Sequence, residues 1–164
     1  MAHLVTGVFE TTSGADSAVS RLQSAGFPSS DISILTSEST GAKAFAVKTG
    51  SKVGEGAAIG AGVGGAILAI AAGLTAVGVL ASGGLGLVAA GPIVAALAGA
   101  GAGAAAGGLV GGLIGLGVPE HEAKYYEGVI SKGGVLVGVR AEGDRRADAR
   151  RVLEEAGAMK VSRA

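Results

Sequence analysis

The residues with the greatest capacity for acid–base or metal chemistry cluster around one histidine. His121 stands between Glu120 and Glu122, and the other histidine lies near the amino terminus. Three consecutive side chains on a helix point in different directions, so they rarely bind one ion together. A helix that starts at Pro119 with acidic residues in its first turn explains the same segment, and Glu120 can pair with Lys124. We therefore predict a helix start here and no metal site.

A second motif resembles a cofactor site. The segment from Gly60 to Gly65 fits the dinucleotide-binding pattern G-x-G-x-x-G. That pattern must follow a strand, and it needs an acidic residue about 20 positions later to bind the ribose. In this chain a lysine-containing linker precedes it, and the next acidic residue is Glu120. The match therefore reflects the local density of glycine, and we predict no cofactor.

Other catalytic arrangements are missing from the sequence. The chain has no cysteine, which excludes thiol catalysis, disulfides and thiolate metal sites. Its serines, histidines and carboxylates do not assemble into a nucleophile with its base and acid, and no Walker A lysine is present. We expect a protein that is not an enzyme.

Basic residues concentrate on the last predicted helix, at Arg145, Arg146, Arg150 and Arg151. Four acidic residues are interleaved with them, which is typical of a solvated helix face whose charges pair with one another. The whole chain has 13 basic and 13 acidic residues. This balance gives no basis for predicting a nucleic-acid partner.

The elements that would have to position such residues are dominated by one long uncharged stretch. The 64 residues from Gly56 to Pro119 contain no Asp, Glu, Lys or Arg. Glycines recur there at every fourth position, which places them along one face of a helix. Glycine strips let helix backbones approach closely and associate in lipid. The predicted helix-packing residues are Gly56, Gly60, Gly64, Gly99, Gly103, Gly107, Gly111 and Gly115.

We predict that this stretch forms a helical hairpin that crosses a membrane twice. Its helices run from about Gly56 to Ala81 and from about Pro92 to Gly117, joined by a glycine-rich turn at 82–86. About 26 residues give a helix of roughly 39 Å, which exceeds the hydrocarbon core of about 30 Å. Lysines and tyrosines near its ends suit a membrane surface. The predicted membrane-interface residues are Lys43, Lys48, Lys52, Tyr125 and Tyr126.

The predicted spans are weakly hydrophobic for their length, because glycine and alanine contribute little to membrane insertion. In a helix, glycine also costs about 1 kcal/mol per residue relative to alanine. Such helices need partners, so we predict a homo-oligomer that contacts membrane lipid. A soluble assembly with its glycine helices buried in protein is the alternative.

The two charged ends of the chain repeat each other at an offset of 131 residues. Gly7 falls on Gly138 and Leu22 falls on Leu153, so each end is predicted to fold as strand, helix and strand. The strands are expected at Leu4–Glu10, Asp31–Thr36, Val135–Glu142 and Ala158–Arg163.

The helices of the two halves carry recognisable end signals. Ser13 and Asp144 are the candidate N-caps. Gly26 and Gly157 stand where each helix is expected to end in a left-handed residue.

Two strand–helix–strand halves predict an α+β fold, the ferredoxin-like split βαβ sandwich, with four antiparallel strands and two helices on one face. The apolar hairpin is then an insertion between the second and third strands, which must leave and return at one place. Residues 1–40 and 134–164 form the two halves of this domain. Between them lie a linker at 41–55, the glycine-zipper hairpin at 56–118 and an amphipathic helix or linker at 119–133.

Two blocks of the chain resemble a known family. The first runs from Ser51 to Gly65, and the second runs from Ala90 to Gly128 and includes Gly117-Val-Pro-Glu-His-Glu-Ala-Lys. On these residues the chain resembles bacterial glycine-zipper proteins labelled general-stress or heat-induced-stress (YflT-like) domain proteins, over nearly its whole length. The resemblance implies a stress-associated bacterial membrane protein without an assigned reaction and without catalytic residues.

We therefore expect a non-enzymatic, stress-associated protein of the bacterial inner membrane that homo-oligomerises through glycine-zipper helices and displays ferredoxin-like domains. The amino terminus lacks the pattern of a signal peptide, so both termini are expected in the cytoplasm. Two other functions stay open at this point. One is a small-ligand sensor or binding module anchored by the hairpin, and the other is a soluble self-assembling particle.

The glycine ladder leads to a first prediction. Replacing Gly107 with leucine places a bulky side chain in the middle of the strip and blocks close approach of a second helix. We expect Gly107→Leu to dissociate the oligomer, measured as a lower particle mass in detergent. An unchanged mass would contradict the zipper hypothesis.

Overall fold

The computed structural model describes residues 3–37, 40, 77–82, 85–93 and 102–162. Its strands are β1 (His3–Phe9), β2 (Ile32–Ser37), β3 (Val77–Ser82), β4 (Leu85–Ala90), β5 (Val135–Ala141) and β6 (Lys160–Val161). Its helices are α1 (Thr12–Ser24), α2 (Ala102–Gly115), α3 (Glu120–Ser131) and α4 (Arg145–Glu155), and a 3-10 turn at Ser29–Asp31 precedes β2. Together these elements form an α+β fold.

All six strands belong to one antiparallel sheet in the order β3-β4-β2-β5-β1-β6. The four strands predicted from the internal repeat occupy the β2-β5-β1-β6 part, and their predicted ends are confirmed within two residues. β5 pairs with both strands of the first half, so that Val135 lies opposite Phe9 on one side and Thr36 on the other. The sheet therefore needs both ends of the chain.

Because neighbouring residues of a strand point to opposite faces, the sheet sorts its side chains into two cores. On one face, α1 and α4 pack through residues such as Ala18, Leu22 and Leu153, which confirms that these two helices share a face. On the other face, α2 and α3 pack through residues such as Leu113 and Ile130. The prediction of helices on one face only is thus corrected. Residues assigned to the membrane hairpin and to the amphipathic helix or linker at 119–133 cover the second face, and the second of these segments is helical.

Local sequence explains where α1 and α4 begin and end. Thr11, rather than the predicted Ser13, caps α1, because its Oγ1 accepts a hydrogen bond from a backbone N–H of the first turn at 3.1 Å. Asp144 stands at the start of α4 as predicted, but its side chain makes no capping hydrogen bond. Gly26 and Gly157 follow the two helices with φ angles of 84° and 89°, as the sequence predicts.

The predicted membrane helix from about Gly56 to Ala81 is wrong at its carboxyl-terminal end. Residues 77–81 belong to β3, and β4 follows after two residues. β4 pairs with β2, with Leu35 opposite Ala89. Apolar runs on both sides of a Gly-Gly pair are a hairpin pattern. The hairpin also pairs backbone groups that β2 would otherwise present at a sheet edge.

The second predicted membrane helix, from about Pro92 to Gly117, is helical within α2 but interrupted. Gly108 has a φ of 59° and a ψ of −146°, which lies outside the helical region. Leu109, Leu113 and Val118 are buried in the core beneath α2 and α3. Protein therefore covers one side of the carboxyl-terminal part of this predicted span. Within the described ranges, no helix has the length and apolar character that a membrane span needs.

The first residue after β4, Gly91, occupies a position where a side chain does not fit. Gly91 has a φ of 91°, and a β-carbon there would overlap the carbonyl oxygen of Ile32 and lie 2.8 Å from the Cα of Ser33. Two residues later, the Ile93 N–H donates to Ser33 Oγ at 3.1 Å. The chain after β4 is thus fixed against the start of β2.

We predict that Gly91→Ala lowers the free energy of unfolding by about 2 kcal/mol more than Gly117→Ala does, because overpacking adds to the left-handed strain that both share. Gly117 is a matched control, since its φ is 89° and a β-carbon there would meet nothing within 4 Å. Urea unfolding followed by circular dichroism measures both variants. Equal destabilisation would contradict the docking of β4 on β2.

Candidate association surface

The outer face of α2 carries glycines of the predicted ladder beside an exposed isoleucine. Leu109 and Leu113 belong to the core, and their spacing of four residues places them on one side of the helix. The opposite side presents Gly111, which is partly exposed, and Gly115, which is exposed. Ile114 lies between them and is 43% exposed. Gly111, Ile114 and Gly115 are called the α2 strip below.

The α2 strip has the composition of a helix-packing surface. Two of its three residues have no side chain, so another backbone can approach closely, and the isoleucine offers apolar area to bury. Two further ladder residues, Gly103 and Gly107, also lie in α2. The other predicted helix-packing residues, Gly56, Gly60, Gly64 and Gly99, lie outside the described residues.

The predicted membrane-interface residues have different outcomes. Lys43, Lys48 and Lys52 lie outside the described residues. Tyr125 is 38% exposed, and Lys160 Nζ lies 5.5 Å from the centroid of its ring. Tyr126 is fully buried, so the prediction that it anchors at lipid headgroups is wrong. Adjacent helical residues point about 100° apart, and only one of the two tyrosines therefore reaches the surface.

Beneath α3 lies a small buried polar cluster. The Thr6 hydroxyl donates to the Tyr126 hydroxyl oxygen at 3.4 Å, and both residues are buried. Burial raises the pKa of Tyr126 to about 12, while the hydrogen bond with Thr6 acts in the opposite direction. One turn earlier, the Glu122 side chain is 8% exposed. Its Oε2 has no hydrogen-bond partner among the described residues.

The burial of Glu122 is a feature that sequence reasoning missed. Its position in the first turn of α3 suits a solvated acid near a helix N-terminus. A different signal was present: Glu122, Tyr126 and Ile130 recur every four residues, so they share the face that α3 turns toward the sheet. At Glu122, the four-residue spacing of the buried face predicts burial correctly, whereas the charge of the side chain predicts exposure wrongly.

Two of the four arginines of α4 pair with acidic residues of the same helix, as predicted. Arg150 donates to Glu154 at 2.8 Å, and Arg151 donates to the acidic residue three positions before it at 3.1 Å. Arg145 donates to the carbonyl oxygen of Gly26 at 2.9 Å. The bond from Arg145 to Gly26 connects the two halves of the domain, so this arginine contributes to the packing of α4 against the end of α1.

The acidic segment around His121 forms the start of α3, as predicted. Glu120 pairs with Lys124 as predicted, and His121 is exposed. In the described part of the chain, no three His, Cys, Asp or Glu side chains are grouped to hold a metal ion.

Comparisons with known proteins add no assignment. No family model matches the chain, and no curated protein or solved structure gives a significant match.

We predict that the domain loses stability as the pH rises from about 10 to 12. The folded state holds the Tyr126 proton more tightly than the unfolded chain, whose tyrosine pKa is about 10, so this stabilisation is complete below pH 10 and disappears above the raised pKa. Urea unfolding should show a loss of about 1–2 kcal/mol that Tyr126→Phe removes and Tyr125→Phe retains. An identical alkaline loss in the Tyr126→Phe variant would contradict this assignment.

Proposed function

We propose that this chain is a non-enzymatic protein whose copies associate through the glycine-rich insertion. The observation that carries the proposal is the α2 strip. Leu109 and Leu113 hold α2 on the sheet, and this orientation leaves the strip facing outward. A helix held in this way offers its backbone for close packing. The partner is a second copy, because the same small and uncharged surface on another subunit fits it without any charge to match.

The domain that such an assembly displays is a split βαβ unit of the ferredoxin-like type. In support, β5 lies between β1 and β2, while β1 lies between β5 and β6, so the two strand–helix–strand halves interlock. Their helices α1 and α4 share one core, as this fold requires. The β3–β4 hairpin extends this unit beyond β2, and α2 and α3 cover its second face.

In one form of the proposal, the assembly contacts the bacterial inner membrane, keeps both termini in the cytoplasm and serves in the stress response. The uncharged run before β3 and the resemblance to bacterial stress proteins support this form. β2 and β3 belong to one sheet, so the chain between them starts and ends on the same side of a bilayer. Two spans need about 40 residues, and residues 56–76 number 21. A complete two-span hairpin therefore requires β3 and β4 to leave the sheet, and Leu109 and Leu113 to leave the core beside it.

A soluble self-assembling particle is the second candidate, and a different observation favours it. Part of the uncharged stretch is covered by protein, since β4 pairs with β2 and α2 packs on the sheet. The interior of a domain excludes charge as lipid does, so lipid is not needed to explain these positions. In this form, the insertions of several copies bury one another.

The proposal predicts that Ile114→Lys dissociates the assembly. The change places like charges opposite each other where two α2 strips meet, and each lysine loses water there. The measurement is detergent-free fractionation of expressing cells, followed by light scattering to obtain the mass of the protein in its own fraction. Ile114→Lys should lower this mass, because contacts between α2 strips are lost.

Met159→Lys is the matched control, because Met159 is 46% exposed just before β6 and lies away from α2. It should leave the mass unchanged. A monomeric unmodified chain would contradict the proposed function. Recovery of the oligomer in membranes favours the membrane form, and recovery as a large soluble particle favours the second candidate.

A further inference from the structure

The two edges of the sheet differ in how well they are protected against pairing with another chain. β6 has two residues and includes Lys160. A short edge strand and a lysine are common devices against pairing between molecules. β3 at the opposite edge has six residues, Val-Gly-Val-Leu-Ala-Ser, with no charge and no proline. By these criteria, and among the strands that the structure describes, the β3 edge is open to another strand.

Among the described strands, β3 pairs with a neighbour on one side only. On one side it pairs with β4 along its whole length, from Val77 opposite Ala90 to Ser82 opposite Leu85. On its other side, none of the described strands pairs with it. In an antiparallel sheet the N–H and C=O groups of successive residues point alternately to the two sides. About half of the β3 backbone groups therefore face this open side, and a strand is the ligand that satisfies them.

We infer that the open side of β3 pairs antiparallel with β3 of a second copy about a two-fold axis, an inference that rests on the proposed self-association. In a two-fold contact each strand faces its own sequence, where any charge would repel its counterpart. β3 carries none. A charged strand of another protein would find no opposite charge on β3 with which to pair.

The same two-fold contact organises the rest of the assembly. An axis perpendicular to the sheet reverses the strand direction but keeps the same face upward, so it joins two sheets into one continuous sheet. α2 packs beside β3. The pairing therefore brings the α2 helices of both copies to one side of the dimer. Pairing of the β3 edges thus forms a two-fold dimer. The α2 strips of its two copies lie on the same side of this dimer and form one surface there.

A cysteine scan tests this inference directly, because the chain has no cysteine of its own. Each β3 position from Val77 to Ser82 is replaced by cysteine in turn, and the full chain is mildly oxidised in the fraction that contains it. A disulfide requires Cα atoms about 4–7 Å apart. Moving the cysteine by one residue away from the axis separates the pair by about 7 Å. Met159→Cys places a thiol near the opposite edge and serves as the control.

We expect the cross-linked dimer to peak at one or two adjacent positions, several-fold above Met159→Cys, and to decline with distance from that peak along β3. An oligomeric chain in which no β3 position exceeds the control would overturn edge pairing while leaving the proposed self-association intact. Equal cross-linking at all six positions would overturn the two-fold arrangement. A monomeric unmodified chain would overturn the proposed function and this inference together. The reduced variants must keep the mass of the unmodified chain, which excludes misfolding as the cause of a negative result.

Discussion

The pairing of β5 with both β1 and β2 is the interaction on which the rest of the structure depends. β5 follows the uncharged stretch, whereas β1 and β2 precede it, so the sheet closes only when the two ends of the chain meet. The Thr36 hydroxyl reinforces the closure by donating to the Gly134 carbonyl oxygen at 3.1 Å. The segment between β2 and β5 therefore begins and ends at neighbouring strands. Closing such a long segment costs little more than closing a short one, because the entropy of closure grows only logarithmically with length.

Closure gives the glycines of this segment distinct uses. At Gly91 the missing side chain allows the chain to cross close to Ile32. At Gly108 it allows a backbone conformation that interrupts α2. On the α2 strip it leaves a smooth surface while the leucines of the same helix pack inward. One residue type thus serves both the interior of the domain and the surface through which copies are proposed to associate.

The elements that follow from the internal repeat and from helical spacing were predicted well from the sequence. The features that depend on tertiary contacts were predicted less well. The offset of the two ends located four strands and the helices α1 and α4, because each half has its own apolar pattern. Four-residue glycine spacing located α2 but could not distinguish a lipid-facing helix from one packed on a sheet. β3 and β4 were missed because the absence of charge is common to membrane spans and to segments buried in a protein, so it does not distinguish the two. Tyr126 was misplaced for a related reason, since an aromatic beside an apolar run suits a headgroup region and a core equally.

β3, β4 and α2 lie within the uncharged stretch and belong to the sheet domain rather than to a pair of membrane helices. Nuclear magnetic resonance of the labelled full chain tests this placement most directly, through contacts between the backbones of β2 and β4. Extended carbon shifts are expected for residues 85–90, together with a cross-strand contact between Leu35 and Ala89. Helical shifts across residues 77–90, without any contact to residues 32–37, would contradict this placement.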